Sequence, residues 1–312
     1  MLWLPIAIGA YLLYALAALG DKALLAGSFK TPATYAMFVG VGGLIPFVVL
    51  ALVIGIPVPS FAAVGYAFVS GILFILALLP YYRGIQRFEV SRIVPATGGL
   101  VPIFTFILGI VFLPGGDSFT PLGLVAFAIL ICGSVLLSID RAKRVSAASI
   151  RIALLASLLF ASSFLLLKSA YLLQSLWSGL LWVQMGAAVT GIALFLILRD
   201  VREDVRVRVR GNASGENRKT LKLFLATQAS AAGASILQHA AFYLAPAALF
   251  AFVNALQGVQ YLFLLVLAVV LSRRFPALFN EETSKGSLVQ KGIGIALIVL
   301  GLVALIVGNT AV

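Results

Sequence analysis

Ten apolar runs divide this chain, at 2–19, 32–54, 61–79, 93–113, 121–139, 150–173, 177–198, 223–244, 246–271 and 292–307. Each approaches the ~20 residues that an α-helix needs to cross a bilayer. Lipid offers backbone groups no water, so such segments fold as helices that satisfy their own hydrogen bonds. The composition agrees, with 62% of residues hydrophobic and 10% charged, against about a quarter charged in an ordinary soluble domain. The sequence therefore predicts an all-α membrane protein with ten transmembrane helices. The first run has no basic flank and no small-residue cleavage site, and is expected to be a retained helix and not a signal peptide.

The 22 Lys and Arg set an orientation. They fall in the first, third, fifth, seventh and ninth connections, and Lys168, inside the sixth run, is the one exception. Basic residues stay on the cytoplasmic side, so both termini are expected outside, in a multi-pass protein of the plasma (inner) membrane. The net charge of +12 is then a topological signal, and no nucleic-acid site is read from it. The long connection at 199–222 forms a cytoplasmic basic loop. Its Val-Arg alternation at 205–210 reads as a short strand or an interfacial strip, followed by a flexible Gly-Asn-Ala-Ser-Gly-Glu-Asn. Its charges suit anionic lipid headgroups, and the Asn212-Ala213-Ser214 sequon is silent on that side.

Several chemistries are argued against. A single cysteine, Cys132, leaves no intramolecular disulfide or thiolate metal cluster. One histidine, no paired membrane carboxylates and neither an HExxH nor a GxSxG motif argue against an intramembrane enzyme. No cofactor or metal is expected.

The two halves resemble each other. Residues 11–24 align with 157–170, bringing Lys22 opposite Lys168; 101–108 align with 259–266; and 128–137 align with 296–305, with Gly133 opposite Gly301. The offset grows from 146 to 158 to 168, as insertions such as the seventh connection require. Five helices per copy is an odd number, so the copies run through the membrane in opposite senses, as two inverted five-helix repeats at 1–140 and 150–308. Repeats of that kind place a binding site near the midplane, at their interface.

The fourth run is irregular, with Pro95, Gly98, Gly99 and Pro102 close together. Each proline removes a backbone donor, so the segment should bend or break against protein or a polar cavity, with Thr97 in its irregular part. A packing helix kinked by its prolines is the plainer alternative.

Ten helices as five plus five, a first helix of small and aromatic residues ending near Lys22, and the Pro-bearing fourth helix before a Gly-containing fifth resemble the drug/metabolite transporter superfamily, in its EamA-like branch. The nearest matches are 96–113 with 121–138 and 248–271 with 291–305. The acidic Gly-Glu common after the fourth and ninth helices has only Gly115-Gly116-Asp117 and Glu281-Glu282 as counterparts. The resemblance implies a central cavity lined by helices one, three, four, six, eight and nine.

The polar residues gather in those segments. Asn254, Gln257 and Tyr261 share one helical face, with Gln260 beside it. Gln228 and His239 share another, with Gln238 adjacent. Amides offer both donors and acceptors to a polar solute, while Tyr11, Tyr14 and Tyr81 can stack on it; interhelical bonding and packing are the structural alternatives. His239 is either a titrating switch or a packing residue. Lys168 is either a functional intramembrane charge or an amine snorkelling to the headgroups. Asp21 with Lys22 is a gate pair or an interfacial ion pair. With no carboxylate deep in a run, facilitated diffusion or exchange fits better than carboxylate-driven antiport. The expected function is a monomeric secondary transporter moving a small organic metabolite, amino-acid-like or similarly polar, by alternating access in export or exchange; a flippase for a lipid-linked carrier is the alternative.

Single cysteines at Gly215 and Thr310, in a Cys132→Ala background, test the orientation. An impermeant thiol reagent on intact cells should label Thr310→Cys and spare Gly215→Cys, and the reverse pattern would overturn the outside termini.

Overall fold

The computed structural model describes residues 2–27, 31–87, 90–114, 120–138, 147–210, 215–272 and 285–310. The regular elements among these are all helical: α1 (Trp3–Gly27), α2 (Pro32–Gly42), α3 (Leu44–Ile54), α4 (Phe61–Arg87), α5 (Val90–Phe112), α6 (Pro121–Ser138) and α7 (Ala147–Tyr171). They continue as α8 (Leu176–Ile197), α9 (Arg199–Arg210), α10 (Gly215–Leu244), a 3-10 turn (Ala247–Leu249), α11 (Phe250–Ala255), α12 (Gln257–Ser272) and α13 (Lys285–Thr310). Six helical stretches are long and apolar enough to cross a membrane: Trp3–Leu25, Pro32–Ile54, Phe61–Arg87, Ala147–Tyr171, Leu176–Ile197 and Ala247–Leu264. Ala96–Phe112, Pro121–Leu136 and Gly292–Val307 are apolar but shorter. α10 is less apolar because Thr227, Gln228, Ser230, Ser235, Gln238 and His239 lie along it.

Hydroxyls start several of these helices. Thr31 accepts from the Thr34 amide (3.2 Å) ahead of Pro32, and Thr120 accepts from the Gly123 amide (3.0 Å) ahead of Pro121. Ser60 and Ser175 do the same for α4 and α8. Such caps satisfy donors that a helix leaves open in its first turn, and proline suits the first helical position, where its missing N–H is no loss. Gly55, at φ 75°, closes α3 in the left-handed region.

The outside of the bundle is apolar. Ile45, Val48, Val49, Leu52 and Val53 of α3 and Val299, Leu300 and Val303 of α13 are exposed. Surfaces of this kind face lipid, and the chain is a multi-pass membrane protein in this coarse sense.

Inside, α4 packs on α7 and α8, α1 on α10 and α12, α7 on α5, α6 on α13, α2 on α8, and α5 on α11. Small residues bring the backbones together, as expected where lipid supplies no hydrophobic drive between helices. Gly40 of α2 lies against Gly191 of α8. A Cβ on Gly71 would overlap the Val183 carbonyl, and one on Gly186 the Phe68 carbonyl, so α4 and α8 touch at backbone distance. Between α6 and α13 the contacts are reciprocal: Gly133 sits against Ile298, and Gly301 against Leu130.

Four expectations need correction. The alternating segment at 205–210 lies in the helix α9, not in a strand. Val201 and Asp204 are buried and Val205 is packed on the core, so burial at helical spacing outweighs the alternation. Helix α10 begins at Gly215, inside the stretch expected to be flexible. α1 continues past Asp21 to Gly27, and α4 runs through Pro80 to Arg87. Finally, α5 is continuous through Pro95 and Pro102, whereas the ninth apolar run is interrupted at Leu256, between α11 and α12. Hydroxyls support α5: Thr105 donates to the carbonyls of Val101 and Pro102, each at 3.0 Å, and Ser157 of α7 donates to that of Thr97 at 3.4 Å.

The glycine contacts give a stability test. Gly186→Ala drives a methyl into a backbone carbonyl and should cost about 1–3 kcal/mol. Gly65→Ala meets open space and should be neutral or stabilising by up to about 1 kcal/mol. Thermal unfolding in detergent separates the two.

Candidate functional site

The expected site residues fall into three groups along the bundle. In the middle, the Tyr11 hydroxyl of α1 donates to the Val253 carbonyl of α11 at 2.7 Å, and Tyr14 donates to Oε1 of Gln238 on α10 at 2.9 Å. The Val253 carbonyl lies next to the interruption at Leu256, where regular helical pairing stops. Tyr261 of α12 reaches across to α5, where a Cβ on Gly98 would overlap its hydroxyl. α5 and the interrupted α11–α12 thus meet directly, Gly98 leaving the room for Tyr261. Tyr261 is also within electrostatic reach of Tyr81 and Tyr11.

Two polar groups here are unusual. The Asn254 side chain is 1% exposed and its amide nitrogen has no partner; the Thr97 hydroxyl, 3% exposed, has none either. Buried donors without partners cost about 1–3 kcal/mol each, which makes them natural contacts for a bound solute. Pro102 and Gln260 are buried near them in sequence, and Gln257 is half-buried. Pro95 is in the described part of α5, but its side chain lies outside the described residues, as does that of Lys22 in α1.

Towards the end of the bundle where α1 finishes and α2 starts, Asp21 accepts a hydrogen bond from the Tyr35 hydroxyl, and Gln228 Nε2 donates to that same hydroxyl at 3.4 Å. The Tyr35 and Tyr82 rings meet edge-on at 4.8 Å. Sequence reading missed Tyr35, since nothing in the pattern of α2 sets it apart; its role comes from a partner on another helix.

At the opposite end, the Lys168 amine of α7 donates to the carbonyls of Phe242 (2.9 Å) and Ala245 (2.5 Å), where α10 ends. A cation at a helix C-terminus meets both unpaired carbonyls and the negative end of the helix dipole. At 2% exposed, Lys168 does not snorkel to the surface. Nearby, the Tyr171 hydroxyl and Nδ1 of His239 are 2.5 Å apart, which joins α7 to α10 a second time. Among the described residues no group of three or more His, Cys, Asp or Glu could hold a metal. A separate groove between α5 and α11, lined by Thr105, Gly109 and Phe250 among others, has no room for a water molecule and carries no charged side chain.

No family model matches the chain, and no curated protein matches it. Among solved structures, one titled only "Crystal structure of protein" is 16% identical and aligns over 96% of this chain and 94% of its own, with a TM-score of 0.60. At that identity the likeness speaks for a shared fold over nearly the whole chain.

Lys168→Met should lower thermal stability by about 1.5–3 kcal/mol, the range for hydrogen bonds to charged groups. Lys168→Arg, which keeps a donor, should lose less. Equal melting of wild type and Lys168→Met in detergent would refute the capping role.

Proposed function

We propose that this protein is a secondary transporter with ten membrane crossings arranged as two inverted five-helix repeats, in the EamA-like branch of the drug/metabolite transporter superfamily. The observation that carries the reading is the pairing of helices. Count α2–α3 and α11–α12 as one crossing each; the halves are then α1 to α6 and α7 to α13, with α9 in the connection between α8 and α10. Exchanging the halves turns the α1–α10 contact into α7–α4 and the α1–α12 contact into α7–α5, and both contacts of each pair occur. The α6–α13, α2–α8 and α5–α11 contacts map onto themselves.

Side chains support the same exchange. Gly133 against Ile298 and Gly301 against Leu130 are related by the offset of 168 at which 128–137 aligns with 296–305. Tyr11 and Ser157 are equivalent at the offset of 146, and each donates to a backbone carbonyl of a helix in the opposite half, Val253 in α11 and Thr97 in α5. Inverted repeats of this sort support alternating access, with the site at their interface.

The solute is a small organic molecule. Asn254 and Thr97 offer unused hydrogen-bonding groups, Tyr11, Tyr14, Tyr81 and Tyr261 offer aromatic surface, and the middle group holds no described charged side chain. That lining suits a polar uncharged or zwitterionic solute, such as an amino-acid-like metabolite. The protein acts as a monomer in the plasma (inner) membrane, with both termini outside.

Purified protein in liposomes, screened by counterflow of radiolabelled amino acids and related metabolites, tests the reading. At least one solute should exchange in wild type, with a several-fold lower rate in Asn254→Ala, Gln257→Ala and Pro95→Ala, all three still inserting. An unchanged rate in all three would remove the proposed site, and no exchange of any solute would remove the transporter reading.

A further inference from the structure

Hydrogen bonds tie the bundle into pairs of helices. α10 is held to α1: Tyr14 donates to Gln238, and Ser230 donates to the Leu13 carbonyl at 2.9 Å. Further along that pair a Cβ on Gly20 would overlap the Thr227 hydroxyl, which is 3% exposed and has no hydrogen-bond partner, so the two helices are shut together there. α7 is held to α4 instead: Ser163 donates to the Ser70 carbonyl at 2.8 Å, and Gln174, just past α7, donates to the Ala63 carbonyl at 2.9 Å. The two pairs meet where α7 and α10 finish, and they do so through side chains. The Lys168 amine reaches the Phe242 and Ala245 carbonyls, Tyr171 meets His239, and the Phe164 and Phe242 rings lie 5.2 Å apart. Such a seam can part while α1–α10 and α4–α7 stay whole.

His239, the chain's only histidine, is buried in this seam. The groups around it decide what a proton would do there. α7 brings Lys168 and Tyr171, α10 its own Tyr243, whose ring is edge-on to Tyr171 at 5.7 Å, and α1 brings Tyr11 and Tyr14. α8 and α11, which also touch α10, have no titratable side chain. No Asp or Glu occurs in α7, α8 or α11, and those of α1 and α10, Asp21 and Glu216, lie at the opposite end. The nearest fixed charge is therefore a like one: Lys168 holds the Phe242 carbonyl, a single turn along α10 from His239.

We propose that His239 is the proton-binding group of this protein, and that its protonation opens the α7–α10 end. This rests on the transporter reading above and adds its coupling ion. A proton from the aqueous side adds to the lone pair of the neutral imidazole and forms its second N–H; no other covalent bond changes. Tyr171 can keep its contact, since a phenol accepts as well as donates. What changes is the charge. In the closed seam the imidazolium faces no carboxylate and stands close to the Lys168 ammonium, and an unpaired charge is costly to bury. With α7 and α10 apart, water solvates both cations. The open form therefore binds the proton more tightly than the closed one, and by linkage acid draws the protein towards the open form. A neutral His239 leaves the seam shut.

The test needs no transported solute. Leu167, next to Lys168 on α7, is 2% exposed, so a cysteine there reacts with a water-soluble maleimide only when α7 leaves its neighbours. In full-length Cys132→Ala, Leu167→Cys protein in nanodiscs, labelling is normalised to the same thiol in unfolded protein at each pH. It should rise several-fold as pH falls through and below the usual imidazole range, about 6.5. Adding His239→Gln, which keeps a polar group in the seam but takes no proton, should hold the low rate throughout. Adding Tyr171→Phe, which loosens the seam and leaves the imidazole, should raise the rate at neutral pH and keep the rise in acid. Leu24→Cys, at a fully buried position near the opposite end of α1, should not follow pH. Isotope-labelled histidine gives a single imidazole NMR signal in the wild type, whose titration should coincide with the rise in labelling and decides the matter even where a variant fails to fold. Labelling that is flat with pH, a rise that survives His239→Gln or appears equally at Leu24→Cys, or an imidazole that titrates without the rise overturns the proposal. Failure of the counterflow screen, by contrast, bears on the transporter reading and leaves this outcome to be read separately.

Discussion

Inside a bilayer a carbonyl that loses its helical partner has no water to turn to, and the side chains of this protein are deployed around that constraint. Tyr11 serves α11 and the Lys168 amine closes the end of α10, while Thr105 and Ser157 add a second donor to carbonyls within α5. In three of these cases the donor comes from a different helix from the acceptor. The bonds that satisfy the backbone are therefore the same bonds that hold the bundle together. This is why polar residues occur in helices that need only be apolar to stay in lipid.

That arrangement also decides which helix is interrupted. Proline removes a donor wherever it stands, and α5 carries two, yet it stays continuous, with the Thr105 and Ser157 hydroxyls on carbonyls of the turns alongside. The ninth run has no proline within α11 or α12 and is interrupted all the same, with the Tyr11 hydroxyl on a carbonyl beside the interruption. If the halves are inverted repeats, these two helices are equivalents, one continuous despite its prolines and the other interrupted beside a partner from α1.

Much of the fold was legible in the amino-acid order, because hydropathy alone reports where helices must lie. Helix ends were less so. α1 and α4 continue beyond their apolar runs, since packing on neighbours supports a helix past the point where lipid requires one, and Asp21 falls within α1 as a result. The segment at 205–210 alternated like a strand, but Val201 and Val205, a helical turn apart, found a surface on α2 and α8. The expected site residues with described side chains are spread over the middle and the two ends of the bundle. Tyr35 and Thr227 were not legible, because their significance comes from Asp21 and Gly20 on α1, and no local pattern records such a contact. Lys168 stood out by breaking the charge alternation, although only the structure supplies its carbonyl partners.

The two ends of the bundle are closed by different chemistry, and the difference has a direction. At the α7–α10 end the closing group is a cation on a helix C-terminus, bonded to two carbonyls, and breaking it leaves both buried groups without that donor. At the α1–α10 end it is a carboxylate on a hydroxyl, and the hydroxyl retains a second partner in Gln228 when the first leaves. The cost of opening is therefore greater where Lys168 sits. If the protein exchanges a solute as proposed, that cost must be offset on one side, and Asn254 and Thr97, which this bundle leaves unpaired, are the groups a solute would use.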